Sequence, residues 1–247
     1  MDRLVYTALS GLRSAMAAQD VTAHNIANAS TIGFKRDVSE AQSRHLVGGQ
    51  SFASRIQAAE GTLAADQAPG TVNQTGRALD IAMTGEAMMA VQAPDGREAY
   101  TRRGDLRISA TGILETGNGL VVVGEGGPIT VPPANTVEIG ADGTVSIRPQ
   151  GGQLNEMTEI GRIKLVTPEQ GALKKGLDNL MRAANGGEIA QDDAARLSTG
   201  GLEGSNVNMM ASMVDMIEQA RAYEVQVQLV TSVRDMDMSS TSLLRLE

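Results

Sequence analysis

The sequence predicts an α+β chain: N- and C-terminal α-helices of coiled-coil character flanking an inserted antiparallel β-barrel or sandwich module. Three observations carry this. Val5, Leu9, Leu12, Met16, Gln19, Ala23 and Ile26 step by four and three residues near one end. Val207, Met210, Val214 and Ile217 do the same near the other end, and Ala220, Tyr223, Val227 and Val230 continue on a drifting face. Between them the apolar period falls to two, and Asp-Gly and Asn-Gly pairs cut the chain at short intervals. Chain ends are usually the least regular part of a domain. Here they carry the most regular apolar pattern, which points to ends that pack against each other and against neighbouring copies.

The first element is a helix over residues 3 to about 28, within a segment bounded at 1–36. Asp2 is placed to cap it by accepting from amides of the first turn. A second stripe of mostly small residues (Leu4, Ala8, Gly11, Ala15, Ala18 and Thr22) runs beside the large one. A small-residue face lets another helix approach closely, and two adjacent seams imply more than one helical neighbour. Asn28-Ala29-Ser30 ends the helix, since Asn tolerates the left-handed conformation. Gly33 then supplies a positive φ for a turn that Phe34 anchors.

Residues 37–78 read as a connector rich in Ser, Gln, Ala and Gly, with short strands near Val72. The β-rich middle spans 79–166, with strands expected at Leu79–Met83, Met88–Gln92, Ala99–Arg102, Leu106–Ser109, Ile113–Glu115, Leu120–Val123, Ile129–Val131, Thr136–Ile139, Val145–Arg148 and Arg162–Val166. Residues 167–204 form a second connector with a short helix expected at Leu177–Ala184. The C-terminal segment, 205–247, is a helix capped by Ser205 or Asn206 and running to about Met238.

Composition narrows the function. The net charge is −8 with only four lysines, so the basic face and aromatic platforms of a nucleic-acid binder are missing. Arg102, Arg103 and Arg107 read as a solvated strand face. The chain has no cysteine, which excludes disulfides and thiolate zinc sites. Asp2, Arg3, Arg13 and Asp20 interrupt the first thirty residues, unlike a cleavable secretory signal. No run approaches the roughly twenty apolar residues of a membrane span. Only two histidines occur, His24 and His45, and neither a His-x-x-x-His pattern nor a Gly-x-Ser-x-Gly elbow is present. Gly124-Glu125-Gly126-Gly127-Pro128 lacks the Lys-Ser/Thr of a phosphate loop and reads as a turn. The expectation is a protein without a catalytic centre, metal, cofactor or small-molecule substrate.

Three segments together resemble the flagellar rod and hook family of axial proteins. They are Ala8–Leu12 through Val21–Asn28 and Thr31–Arg36; Ala78–Glu86 with Ala93–Arg97 and Tyr100–Gly104; and Ser205–Asn208 followed by Met213–Ile217 and Ala220–Glu224. Met88-Met89 depart from the aromatic pair common there, and His24 stands where Asn is usual.

The resemblance implies a structural subunit of the basal-body rod in its proximal part, self-assembling through its terminal helices into a drive shaft across the periplasm. Its partners would be other rod proteins, copies of itself and the flagellar type III export apparatus, with no nucleic acid and no direct membrane insertion. A distal-rod subunit is the nearest alternative, and a secreted coiled-coil scaffold or adhesin the next. On the stripes and the matching motifs, the expected assembly interface comprises Val5, Leu9, Leu12, Met16, Ile26, Asn28, Gly33 and Phe34 at the N-terminal end. At the other end it comprises Val207, Met210, Val214, Ile217, Arg221, Tyr223 and Glu224.

Overall fold

A computed structural model of the chain describes residues 2–39, 42–45, 56–59, 63–149, 157–169 and 171–244. Two helices, α1 (Asp2–Ala27) and α2 (Met209–Leu244), flank a region of antiparallel strands. The chain divides into two compact units: Met1–Ala27, Asp37–Ala64 and Asn208–Glu247 in one, Asn28–Arg36 and Ala65–Val207 in the other.

In the first unit α1 packs against α2 and beside the strands Asp37–Ser39 and Ile56–Ala59. Gln226 lies over Gly11. The backbone amide of Asn206, three residues before α2, donates to the carbonyl of Phe34, seven residues after α1. Both contacts are possible only if the helices run antiparallel, because parallel helices in that register would put these ends too far apart for the intervening chain. Ser212, Met216, Gln219, Tyr223, Gln226, Val230 and Val233, alternately four and three apart, are less exposed positions of α2, with Ala220 beside them. This is a heptad seam. On α1, Ala15, Ala18, Thr22 and Asn25 share the face of Gly11 by the same spacing. The α1 side of the seam is therefore built from small and polar residues, and the α2 side mixes Ser212, Gln219 and Gln226 with Met216, Tyr223, Val230 and Val233. The end of α1 is tied down by Asn25, whose amide donates to the Asp37 carbonyl (2.8 Å) and accepts from the Asp37 amide (2.8 Å). His24 Nδ1 sits 2.7 Å from the Asp37 carboxylate.

Asn208 caps α2, its side-chain oxygen accepting from the Ala211 amide (3.1 Å). The expected caps are used otherwise: Ser205 Oγ accepts from Val207 N (3.2 Å), and Asn206 is spent within the second unit.

In the second unit the main sheet orders its strands Leu173–Lys175, Met181–Ala183, Glu98–Thr101, Met88–Gln92, Val121–Gly124, Leu114–Thr116 and Leu106–Ile108. Gly127–Pro128 pairs with Val121–Gly124, and Leu165–Val166 with Met88–Gln92. A second sheet joins Ala134–Ile139, Thr144–Pro149 and Thr158–Arg162. The main sheet is an open path, and the described strands do not close a barrel. Both sheets share one core, with Met89, Val91, Leu106, Leu114 and Val122 meeting Ile139, Val145 and Ile147. The opposite face of the main sheet buries Met88, Ala90, Tyr100, Val166 and Met181. Strand Met88–Gln92 is thus covered on both sides, and Met88 and Met89 point into different cores, as the period of two requires. With no Trp and one Tyr in these cores, methionine supplies much of the volume.

Residues 177–184 are not a helix. They belong to a hairpin between Leu173–Lys175 and Met181–Ala183. Asn179 takes a left-handed φ of 63°, which interrupts any helix. Asp178 and Arg182, four apart as in a helical pair, form their two hydrogen bonds (2.9 and 2.6 Å) beside this turn. Leu197–Thr199 and Gly201–Glu203 are also strands, pairing with Ile81–Met83 and Val72–Gln74. In the first unit Gln42–His45 pairs with Ile56–Ala59.

Truncating Met89, fully buried in the shared core, to Ala should cost about 2–5 kcal/mol. Met89→Leu should cost under about 1.5 kcal/mol. Urea unfolding of the two variants checks the difference.

Candidate assembly interface and its anchor

The turn after α1 is fixed by a buried cluster of charges. Lys35, Arg102 and Glu203 are 3%, 3% and 1% exposed. Glu203 Oε1 accepts from Lys35 Nζ (2.9 Å) and from the Gly70 amide (2.9 Å), while Oε2 accepts from Arg102 Nε (2.6 Å). Two cations share one carboxylate, so backbone carbonyls satisfy the rest. Arg102 donates to Met83, Gly85 and Ala87, and Lys35 to Ala68. Arg102 is therefore not part of a solvated strand face, although Arg103 pairs with Asp105 and Arg107 lies near Glu115 as surface residues do. The inward course of its guanidinium is set by the three carbonyls and Glu203. Burial holds the Lys35 ammonium below the usual lysine range, against the opposing hydrogen bond to Glu203.

Gly33 and Phe34 complete the anchor. Gly33 adopts φ 68°, and a Cβ there would stand 2.5 Å from the backbone of Arg102 and Arg103. Its amide donates to the Glu203 carbonyl (2.8 Å). Only glycine fits both demands. Phe34 is buried, and Lys175 Nζ stands 3.7 Å from the centre of its ring while donating to the Lys35 carbonyl (2.7 Å). Asn206 locks the other side, accepting from Arg36 N (2.7 Å) and donating to the Asp66 and Ala68 carbonyls.

The expected interface residues fall into separate groups. Gly33 and Phe34 are internal to the anchor. Asn28 accepts from the Thr31 amide at the end of α1, and Val207 is half-buried. Leu12 and Ile26 are half-buried on α1. Leu9 and Met16 face outward at 39% and 48% exposure, and the side chain of Val5 lies outside those described. On α2, Met210, Val214 and Ile217 are exposed at 74%, 55% and 55%, as are Arg221 and Glu224, whereas Tyr223 belongs to the helix seam. Sequence reasoning missed Lys35, Arg102, Glu203 and Lys175. The available signal was scarcity: two of these four residues are among the chain's four lysines. Among the described residues no group of His, Asp or Glu is placed to hold a metal ion, and no helix is long and apolar enough to cross a membrane.

A helix pair from the chain ends, joined to an inserted β-body through a Gly-Phe-Lys turn, is the architecture expected of a flagellar axial protein, and comparison with known families agrees. Residues 5–35 match the family described as flagella basal body rod protein, 82–147 the flagellar hook protein FlgE/F/G D1 domain, and 198–243 the flagellar basal body rod FlgEFG protein C-terminal region. The chain is 39% identical to the flagellar basal-body rod protein FlgF of Salmonella typhimurium and 38% identical to that of Escherichia coli, in each case over the whole of both chains. It is 29% identical to FlgG of Bacillus subtilis over 94% of this chain and 95% of that one. The chain belongs to the flagellar basal-body rod protein family, whose members are structural proteins of the flagellum's basal body.

The anchor yields a graded prediction. Glu203→Gln leaves two buried cations without their anion and should cost about 3–5 kcal/mol. Lys35→Met leaves the Arg102–Glu203 pair intact and should cost less. The folded-state pKa of Lys35 is lowered, so between it and the unfolded value of 10.5 the unfolded chain binds more protons. Wild-type stability should therefore rise relative to Lys35→Met as pH climbs through that window. Denaturant titrations of both proteins across the alkaline range check the sign.

Proposed function

We propose that the chain is a subunit of the proximal flagellar rod and enters it through the outward faces of α1 and α2. One observation carries this: the large apolar side chains Leu9, Met16, Met210, Val214 and Ile217 stand exposed, away from the seam in which the two helices meet. Soluble monomers rarely leave such faces uncovered. Copies of the chain and other rod proteins are the partners that would cover them. Such contacts run head to tail and need not close.

The β-body is read as a two-layer sandwich, supported by the core shared between its sheets. Export through the flagellar type III apparatus as an unfolded chain fits the absence of cysteine, since no disulfide has to form. The anchor holds the turn after α1 and so acts as a positioning device. The higher identity to FlgF, 39% against 29% to FlgG, favours the proximal place. The whole-length likeness to FlgG supports the distal rod as a second reading, and locating the subunit in imaged basal bodies separates the two.

Met210→Asp combined with Ile217→Asp should leave export and the melting of the β-body unchanged but abolish rods and motility. Normal rods with this variant would overturn the proposal. Amides of residues 5–26 and 207–234 should exchange rapidly in the free chain and slowly in assembled rods, because helices gain most of their stability from packing. Strong protection in the free chain would refute the reading that these helices become firmly ordered only on joining the rod.

A further inference from the structure

We infer that Gln219 and Gln226 keep the α1–α2 pair loose and exchangeable in the free chain, and that this looseness lets the helices repack against a second copy. The second half rests on the assembly reading above. Both side-chain carbonyl oxygens are buried, and neither has a hydrogen-bond partner among the described residues. The two residues are seven apart and occupy the same place in successive heptads of the seam. The carboxamide of Gln226 lies flat over Gly11, its atoms 3.6–3.7 Å from where a Cβ would stand.

Among the described side chains, none on the facing side of α1 answers these carbonyls. Ala15 and Ala18 carry no donor. The Thr22 hydroxyl is spent on the Ala18 carbonyl (3.0 Å), and the Asn25 amide on Asp37. Helical backbone amides beyond the first turn are already used. A buried polar group at a seam position fixes register at the expense of stability, and leaving it unpaired makes the pairing weaker still. A carboxamide both donates and accepts, so another register or another helix is able to satisfy it. Met210, Val214, Ile217, Val225 and Leu229 stand on the outer face of α2, where a new neighbour would meet them.

The test is hydrogen exchange of the full free chain carrying Gln219→Met and Gln226→Met, which keep length and helix propensity but remove the orphaned carbonyls. Exchange of seam amides in both helices should slow about tenfold or more. Gln228→Met, on the exposed side of α2, should leave it unchanged. No slowing in the double variant overturns the inference, and equal slowing by Gln228→Met overturns the assignment to the seam. Incorporation is read by competing native and double-variant chains in the same cells. The variant should be exported in equal amount yet under-represented in rods. Slowed exchange with equal incorporation overturns the link to repacking while leaving the assembly reading intact. Finding the native chain away from rods overturns that reading alone, and the exchange result still decides on the seam.

Discussion

The carboxylate of Glu203 is the constraint on which the rest of the second unit's order depends. It draws Lys35, at the end of the turn after α1, and Arg102, at the end of a central strand, onto one buried point. A buried anion is tolerable only with close cations, and a second buried cation only with further acceptors. Those acceptors are the carbonyls of Met83, Gly85, Ala87 and Ala68, so two backbone segments, 83–87 and the one around Ala68, are drawn into place by the charges. The conformation of Gly33 follows, because the turn has to pass against the Arg102–Arg103 backbone to deliver Lys35. The Phe34–Lys175 contact and the bridge of Asn206 then close the turn against the segment that leads into α2.

The helix pair is built on the opposite principle. A stable coiled coil puts its large apolar residues in the seam. Here Gly11, Ala15 and Ala18 meet a face on which Ser212, Gln219 and Gln226 interrupt Met216, Tyr223, Val230 and Val233, while Met210, Val214, Ile217, Val225 and Leu229 look outward. Burial at roughly 25 cal/mol per Å² rewards covering that outward surface far more than tightening the seam. The pairing within one chain thus leaves the apolar stabilisation of these outward side chains unused.

Much of this was legible from periodicity. The helices, most central strands and the turn at Gly33 follow from spacing, because each is a local pattern of backbone and side-chain direction. The face of α1 that meets α2 was legible as the small-residue stripe, but which stripe faces inward depends on a partner helix some two hundred residues away. Arg102 was misread because three arginines so close together look solvated, and only Glu203, a hundred residues later, turns one of them inward. The helix expected at Leu177–Ala184 gave way to a hairpin at 173–183, because the left-handed Asn179 decides the backbone there. The α2 cap shifted from Ser205 or Asn206 to Asn208 because long-range bonds to Arg36, Asp66 and Ala68 consume Asn206.

These differences share a cause. Where a polar side chain finds its partner within a turn or two, sequence spacing predicts it; where the partner is distant, burial chooses. The anchor takes its polar groups from distant segments and pairs them, which makes it costly to open. The seam places two carboxamides at local heptad positions and leaves a carbonyl of each unpaired, which makes it cheap to open. On the assembly proposed above, a subunit that joins neighbours through its ends needs rigidity at the turn after α1. It needs compliance in the helices themselves, and the distribution of paired and unpaired polar groups along this chain supplies both.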